Sequence, residues 1–375
     1  MTGGIQEAGA AYGSSLLTVD LDALAANYRF LADKARPARA GASVKADAYG
    51  LGVGPVARRL WAEGCCDFFV ATLDEGVGLR GLLPEARITV LNGLIAGEPK
   101  LFRKYRLMPA LNDLGQVDAW AAWGRSNGPA PAVLHLDTGM ARLGLTPAEF
   151  ETLAADHSRL DGIELALIIS HLACADEPDN PMNRRQRDDF AAALARLPAA
   201  PASLSASSGI FHGPDFLFDM VRPGVCLHGV NPRPGHPNPL RPVVRLQAKI
   251  LQIRDVDTPQ TVGYGATHRF TGPARLATLA AGYADGYLRS LSGRGTAHID
   301  GIAIPVVGRV SMDLTTVDIT QVPEARPGDM VDLIGPYHDV DALAEEAGTI
   351  AYEILTSLGR RYRRRYLGGG DGGGA

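Results

Sequence analysis

The sequence predicts an α/β chain in which an N-terminal (β/α)8 barrel precedes a C-terminal, mostly β domain. Between about residues 41 and 230, short apolar runs alternate with amphipathic helical stretches, which is typical of parallel strands joined by helices. After Pro242 this alternation stops. A chain of 375 residues with 46% hydrophobic side chains also exceeds the usual size of one compact core, so two structural units are expected.

The N-terminal part contains eight short runs rich in apolar and β-branched residues. Eight parallel strands with helical connections are the number that closes a TIM-type barrel. The predicted strands are Ala42–Lys45, Phe68–Ala71, Ile88–Leu91, Leu107–Leu111, Ala132–Asp137, Ile163–Ile169, Ala202–Ala206 and Phe218–Arg222.

The C-terminal part has strand patterns separated by Gly, Pro and Asp turns, and no helix is predicted between them. These patterns cover Val243–Val256, Ala274–Ala281, Ile302–Val310, Leu314–Ile319 and Met330–Ile334. The proline-rich segment 231–239 is the predicted linker, because proline stiffens a chain and cannot complete a ladder of hydrogen bonds. We therefore predict a barrel domain at 1–240, a β domain at 241–367 that residues 14–20 could join, and a disordered glycine-rich tail at 368–375.

Composition argues against several classes of function. The net charge is −4 without an acidic or basic block, which does not favour binding to nucleic acid or to an anionic membrane. No run approaches the roughly 18 apolar residues of a membrane span, and the first residues lack the pattern of a secretion signal, so a cytoplasmic location is expected. The four cysteines are poorly spaced for disulfides and are predicted to be reduced.

Polar side chains follow the predicted barrel strands at the positions where such barrels carry their chemistry. Reactive residues lie at the carboxyl ends of the strands, and phosphate is commonly bound after strands seven and eight. The candidates, taken along the chain, are Lys45, Arg142, His171, Ser208 and the segment from Arg222 to Val225.

Lys45 closes an apolar strand, where partial desolvation would lower the pKa of its amine and make it a nucleophile or a base. A solvated surface charge is the commoner role of a lysine at the end of a strand. The residues that follow, Ala46 to Gly50, favour the functional interpretation.

The segment VKADAYG at 44–50 resembles the cofactor-lysine signature of the alanine racemases, a family of fold-type III pyridoxal-phosphate enzymes. The resemblance continues in order through both predicted domains. It covers LDTGMARLG at 136–144, SH at 170–171, RPG at 222–224, VGYG at 262–265, GYADG at 282–286, GRVSMD at 308–313 and TIAYE at 349–353.

The resemblance implies racemisation of alanine by two bases. A racemase removes a proton from one face of the substrate and returns one to the other face, which requires a base on each side. Lys45 would bind pyridoxal 5'-phosphate covalently and then act on D-alanine, and Tyr264 would act on L-alanine. Because a tyrosine is a weak base at neutral pH, His171 and Arg222 are expected to favour its phenolate by charge and hydrogen bonds. Sequence alone also permits His171 to be an ordinary core histidine.

Arg222 is implied to lie against the pyridine nitrogen of the cofactor, where many other pyridoxal enzymes place a carboxylate. A guanidinium there repels a protonated ring, so the ring stays unprotonated and withdraws electrons less strongly. On this interpretation Arg222→Glu would produce a long-wavelength absorbance band and more side reaction.

The resemblance also implies contacts to the cofactor phosphate and to the substrate. The phosphate contacts are Tyr49, Ser208, the backbone amides of Gly224 and Val225, and Tyr352. The substrate carboxylate would contact Arg142 and the backbone at Met312, and the passage through which substrate enters would contain Asp176, Tyr283 and Arg289. A homodimer with sites shared across the interface is implied as well. A role in D-alanine biosynthesis is expected, and the sequence leaves a role in alanine catabolism open.

Three residues depart from the family pattern. His135 stands where many relatives have a carbamylated lysine, Ser311 replaces a frequent cysteine, and Ser207 replaces a frequent asparagine. Loss of the carbamate removes a negative partner from Arg142, so we expect a bound chloride or an acidic neighbour beside that guanidinium.

Parts of the sequence are also compatible with other activities. The enzyme could racemise another small amino acid such as serine, because small pockets discriminate by only about 1–3 kcal/mol per methylene. A barrel-type pyridoxal decarboxylase would lack the Tyr264 motif and Arg222, and a pyridoxal-phosphate carrier built on the barrel alone would lack the β domain. Residues 50–57 with Asp74 weakly resemble a dinucleotide fingerprint. The fragments at 171–174 and 226–228 lack a spaced zinc partner pair, and we predict no metal.

Overall fold

A computed structural model describes residues 14–95, 99–257 and 259–368, and the chain divides into two compact units. The barrel unit contains residues 24–48 and 52–241. The sheet unit contains residues 14–23, the short segment 49–51 and the described residues from Pro242 to Gly368. Apart from Gly368, the predicted tail lies outside the described residues.

The strands are numbered along the chain. They are β1 Ser15–Asp20, β2 Arg39–Ala40, β3 Ala42–Ser43, β4 Asp67–Val70, β5 Arg87–Val90, β6 Leu107–Leu111, β7 Ala130–His135, β8 Ile163–Ile169, β9 Ala202–Ser203, β10 Met220–Val221, β11 Val244–Val256, β12 Gln260–Val262, β13 His268–Phe270, β14 Ala274–Leu279, β15 Thr296–Ile299, β16 Ile302–Pro305, β17 Thr315–Asp318, β18 Met330–Ile334 and β19 Arg363–Leu367.

The regular α-helices are numbered in the same way. They are α1 Leu21–Ala35, α2 Val53–Ala62, α3 Leu73–Leu82, α4 Pro99–Lys104, α5 Leu114–Asn127, α6 Pro147–Ala155, α7 Pro181–Leu194, α8 Val340–Ala347 and α9 Ala351–Ser357.

The barrel unit is built on a parallel sheet of seven strands that pair in chain order from β3 to β9. The eighth strand, β10, pairs in parallel with β2. On its other side, the Asp219 N–H donates to the Ala202 carbonyl at 3.0 Å and the Arg222 N–H donates to the Ser205 carbonyl at 2.9 Å. The predicted α/β class with a barrel-type sheet is therefore confirmed.

Alternate residues of each strand point inward, and these inward-pointing residues are apolar. The central cluster takes one or two side chains from each contributing strand. It consists of Phe69, Ala110, Val133, Leu167, Ile169 and Met220. Helices connect the strands, and α3 begins with a capping box in which Thr72 and Glu75 satisfy each other's backbone N–H groups. This box also fixes the position of the Glu75 carboxylate.

The sheet unit contains a mixed sheet with the order β16-β15-β18-β11-β1-β19, and β14 and β17 continue from β11. Strand β1 lies between the long strand β11, to which it is antiparallel, and β19, to which it is parallel. The first described strand of the chain thus pairs with the last one.

The structure differs from the prediction at several elements. The first barrel strand ends at Ser43 instead of Lys45, because the backbone after Val44 turns into a left-handed conformation. The prediction placed no helix between the C-terminal strands and named none after them; α8 and α9 follow β18, beyond the last predicted strand. Both are short, and Gly348 ends α8 with a positive φ of 72°.

Within the described part of the chain, no helix is long and apolar enough to cross a membrane. No disulfide joins any two of the four cysteines, all of which lie in the described residues.

Candidate active site

Lys45 opens a tight left-handed turn at the end of β3. Ala46, Asp47 and Ala48 have φ between 53° and 54°, and Tyr49 has a φ of 57°. Residues other than glycine pay about 1–2 kcal/mol each for this conformation, so such turns persist only where surrounding contacts hold them. Strained backbone of this kind is concentrated at functional sites, and here it immediately follows the predicted cofactor lysine.

The environment of Lys45 shifts its protonation in the predicted direction. Burial lowers the pKa of the amine, the charge of Arg142 lowers it further, and the Glu75 carboxylate opposes both effects. A lysine with a lowered pKa holds more of its amine in the neutral, nucleophilic form at neutral pH.

Arg222 lies almost completely buried, with 6% of its surface exposed. Its Nη1 donates to the carbonyl and the hydroxyl of Ser203 at 2.7 and 2.5 Å, and its Nη2 donates to the carbonyls of Ser170 and Leu204 at 2.6 and 3.4 Å. Among the described residues, Nε is left as the guanidinium donor without an acceptor. Burial lowers the pKa of Arg222 to about 10, so the group remains charged at neutral pH.

His171 is neutral in this environment. Burial, followed by the charges of Arg222, Arg142 and Lys45, lowers its pKa to about 3. Because desolvation beside several cations disfavours the imidazolium, any support that His171 gives to a tyrosine phenolate would come from a hydrogen bond instead of a positive charge. A neutral imidazole can still donate or accept a hydrogen bond.

This shift predicts a pH dependence of stability. An unfolded histidine has a pKa near 6.5, so as the pH falls the unfolded chain binds this proton before the folded chain does. The contribution of His171 to the free energy of unfolding should be constant above about pH 6.5. As the pH falls from about 6 to 4, this contribution should decrease by about 1.4 kcal/mol per pH unit. Urea unfolding at several pH values measures this slope.

His171→Gln should reduce the slope by the contribution of one proton. His135→Gln should reduce it over a slightly narrower range, because burial and Arg222 lower the pKa of His135 to about 4. Equal slopes in both variants and the parent protein would contradict the assignment.

His135 has a defined tautomer. The Asn112 amide Nδ2 donates to the Leu91 carbonyl at 3.1 Å, so its Oδ1 is the acceptor for His135 Nδ1 at 2.7 Å. The proton therefore lies on Nδ1, and Nε2 carries the lone pair. At the position where the sequence resemblance implied an anionic carbamate, this chain places a neutral acceptor.

Arg142 is exposed, and its side chain makes no ion pair within residues 14–95, 99–257 and 259–368. The acidic neighbour expected beside it is thus absent from the described residues, because exposure lets water solvate the guanidinium. The alternative expectation, a bound chloride, stays a prediction.

Ser207 holds the loop after β10. Its Oγ accepts the N–H groups of Gly224 and Cys226 at 3.0 and 3.2 Å. The Gly224 amide is therefore used within the protein, in contrast to its predicted contact with phosphate. The Val225 N–H and the Ser208 hydroxyl have no hydrogen-bond partner among the residues described.

In the sheet unit, Tyr264 is strongly exposed, with 72% of its surface accessible. It lies in a tight turn between Gly263 and Gly265, whose φ angles of 72° and 71° require glycine. A Cβ atom at Gly265 would lie 3.0 Å from the Arg309 guanidinium, so this arginine packs directly against the turn.

The backbone brings Tyr283 and Met312 together. The Tyr283 N–H donates to the Ser311 carbonyl at 3.0 Å, and the Ala284 N–H donates to the Met312 carbonyl at 2.9 Å. Gly282 permits this approach, since a Cβ atom there would lie 2.4 Å from the Ser311 oxygen. Tyr283 and Met312 are both exposed.

The rings of Tyr49 and Tyr352 are 6.0 Å apart within the sheet unit. Arg289 is exposed in the same unit, whereas Asp176 is exposed on a loop of the barrel unit. The charges of Lys45 and Arg222 both lower the pKa of His171, so these three residues of the barrel unit influence one another. The sheet unit carries Tyr264, Tyr283 and Met312.

Two residues that contact the site were missed by sequence reasoning. In the sequence, Glu75 has only the pattern of a helix-capping residue, although its charge acts on Lys45. Asn112 follows a strand without a recognisable motif, although it bonds His135. No cluster of three or more His, Cys, Asp or Glu side chains suited to a metal ion occurs in the described part of the chain.

Comparison with known proteins assigns both parts of the chain. Residues 19–232 match the model of the alanine racemase N-terminal domain, and residues 243–366 match that of the alanine racemase C-terminal domain. Alanine racemase from Rhodospirillum rubrum is 52% identical over 366 residues, which cover 96% of this chain and 98% of the relative. The catabolic alanine racemase of Agrobacterium fabrum is 48% identical over 366 residues, covering 96% and 94%.

Solved structures with a similar fold are also alanine racemases. Alanine racemase from Bartonella henselae with covalently bound pyridoxal phosphate has a TM-score of 0.92 and 39% identity, covering 95% of this chain and 100% of that one. Biosynthetic alanine racemase from Pseudomonas aeruginosa has a TM-score of 0.88 and 36% identity, covering 95% and 99%. Similarity of this extent in sequence and in fold, over both parts of the chain, shows that the chain belongs to the alanine racemase family.

Proposed function

We propose that this protein interconverts L-alanine and D-alanine with pyridoxal 5'-phosphate as its cofactor. The observation that carries the proposal is full-length similarity: both family domains match, and relatives about 50% identical over nearly the whole chain are alanine racemases. The barrel-type decarboxylase and the barrel-only carrier are not favoured, because the chain matches the racemase family through both units.

The residues of the barrel unit fit the cofactor. Lys45 supplies a partly desolvated amine for covalent attachment. Arg222 Nε is a donor that no described residue uses and that suits the ring nitrogen. Ser208 and the Val225 amide have unused donors suited to a phosphate, and Tyr49 and Tyr352 complete the proposed set. Gly224 shapes this loop while its own amide is held by Ser207.

When bound, pyridoxal phosphate withdraws electrons from the substrate and so acidifies its α-proton. Lys45 Nζ is proposed to hold or release the proton on the face from which D-alanine is formed. The Tyr264 hydroxyl is proposed to do the same on the opposite face. His171 contributes as a neutral hydrogen-bonding group, and Arg222 contributes the local positive charge.

Substrate selection is proposed to depend on Arg142, which would contact the carboxylate together with the backbone at Met312. Its exposure leaves the guanidinium free to meet an incoming anion. Asp176, Tyr283 and Arg289 are proposed to line the passage through which substrate enters.

We also propose a homodimer in which the sheet unit of one chain completes the site of its partner. The exposure of Tyr264, Tyr283 and Met312, at 72%, 42% and 54%, is unusual for such large side chains and supports burial against a second copy. A cytoplasmic location, a role in D-alanine biosynthesis and the domain boundary near residue 240 are part of the same proposal.

The activity is tested by incubating the purified protein with L-alanine, D-alanine, L-serine and L-lysine and separating the enantiomers. Alanine should racemise in both directions and faster than serine, and lysine should be inert. Borohydride should fix the cofactor on Lys45, located by peptide mass spectrometry, and Lys45→Ala should abolish both results. Fixation at another lysine, or faster conversion of serine, would overturn the assignment of residue or of substrate, respectively.

A further inference from the structure

Two hydrogen bonds within its own segment close the left-handed turn after Lys45, while the Val44 N–H, just before the lysine, donates to the Phe69 carbonyl of β4 at 2.9 Å. The Ala48 N–H donates to the Val44 carbonyl at 2.9 Å, and the Val53 N–H donates to the Asp47 carboxylate at 2.7 Å. These bonds close the turn, but they do not connect it to the rest of the sheet.

Glu75, on helix α3, makes that connection. Its Oε1 accepts the Ala46 N–H at 2.7 Å, and its Oε2 accepts the Ala71 N–H at 2.7 Å and the Thr72 N–H at 3.3 Å. One carboxylate therefore joins the residue after Lys45 to the end of the neighbouring strand β4. Hydrogen bonds to a carboxylate are stronger than neutral ones, which suits a group that must hold a strained turn.

We propose that Glu75 is a positioning residue for Lys45, whose carboxylate fixes the left-handed turn on strand β4 and places a negative charge near the lysine amine. The inference rests on the proposed function, in which Lys45 binds the cofactor and transfers a proton. The electrostatic part agrees with the environment of the amine, where burial and Arg142 lower the pKa of Lys45 and Glu75 raises it.

Glu75→Gln separates these contributions from simple loss of volume. Both carboxylate oxygens accept N–H groups, so in either orientation the glutamine amide NH2 would face a backbone donor. The variant loses the charge and either the one bond at Oε1 or the two bonds at Oε2, with almost the same shape. Misplacement of a reacting group by about 1 Å can cost roughly a hundredfold in rate, so we expect kcat to fall about tenfold to a hundredfold with little change in KM.

The second readout is the visible absorbance of the bound cofactor, titrated against pH in the full-length, cofactor-loaded protein. Removal of a negative charge disfavours the protonated form of the Lys45 nitrogen, so the midpoint should move to lower pH in Glu75→Gln. A purely structural role would not move this midpoint.

Asp74→Asn is the matched control. Asp74 lies in the same first turn of α3, is exposed, and makes no contact with the lysine turn. The substitution Asp74→Asn removes the same charge from the same helix end as Glu75→Gln does, so any effect through the helix dipole is equal in the two variants. Both kcat and the midpoint should stay at the values of the parent protein.

Thermal unfolding checks that Glu75→Gln is folded. If it is not, both readouts are taken with Ala46→Gly added, because glycine adopts the φ of 53° without strain. Parent-like kcat and midpoint in the folded glutamine variant would overturn the inference. Absence of racemisation and of borohydride fixation in the parent protein would instead refute the proposed function itself.

Discussion

Tyr264→Phe is expected to lower racemisation of alanine by about 10²- to 10⁴-fold in both directions, the usual loss when a positioned acid or base is removed. The ring is strongly exposed and its hydroxyl has no hydrogen-bond partner in the described residues, so the phenylalanine variant should fold normally. Stability and the absorbance of the bound cofactor should remain unchanged.

Exchange of the α-proton in deuterated water distinguishes the two faces. With Lys45 intact, D-alanine should still exchange its α-proton in the variant, whereas exchange from L-alanine should be lost. Tyr337→Phe is the control, because Tyr337 is similarly exposed, at 65%, on the same unit. Equal exchange from both enantiomers would contradict the assignment of one base to each face.

Arg222→Gln is expected to have the second large effect, on stability and on chemistry together. The guanidinium donates to three backbone carbonyls and one hydroxyl in a buried position, and glutamine satisfies at most two of these acceptors. Leaving buried carbonyls without donors should lower the free energy of unfolding by about 2–4 kcal/mol. Loss of the positive charge should also produce a long-wavelength absorbance band with substrate and increase side reactions such as transamination.

Glutamine is a sharper test than the glutamate that the sequence suggests, because a carboxylate would repel the carbonyls of Ser170, Ser203 and Leu204. Urea unfolding and absorbance spectra with alanine measure the two effects. Ser203→Ala is the control: it removes the hydroxyl acceptor at 2.5 Å but keeps the charge. This variant should lose stability without the new absorbance, and an unchanged spectrum in Arg222→Gln would contradict the electrostatic role of the arginine.

Much of the fold could be predicted because the barrel strands are continuous apolar runs in a regular order. Strand β8, for example, has the predicted bounds Ile163–Ile169. The two-residue strand β2 is too short to leave a pattern in sequence, although it pairs with β10. Helices α8 and α9 were missed because each makes only about two turns, too few for a clear period of 3.6 residues.

For the candidate site, the sequence identified the chemical groups but not their environments. Lys45 and Arg222 were named from motifs, whereas the lowered pKa of His171 comes first from burial and then from cations on other strands. The same limit applies to Glu75, whose pattern in sequence is a capping box. Its contact with Ala46 arises only when β3 and β4 lie side by side.

The position of β1 has a consequence for biosynthesis. This strand is synthesised before the barrel unit, yet its neighbours β11 and β19 are made only after that unit, β19 among the last residues described. Strands that are far apart in sequence pair slowly, because the intervening chain must be ordered before the contacts between them can stabilise the fold. Strand β1 therefore cannot take its place between β11 and β19 until both have been synthesised, and the apolar segment Ser15–Asp20 lacks these two partners while the barrel unit is made.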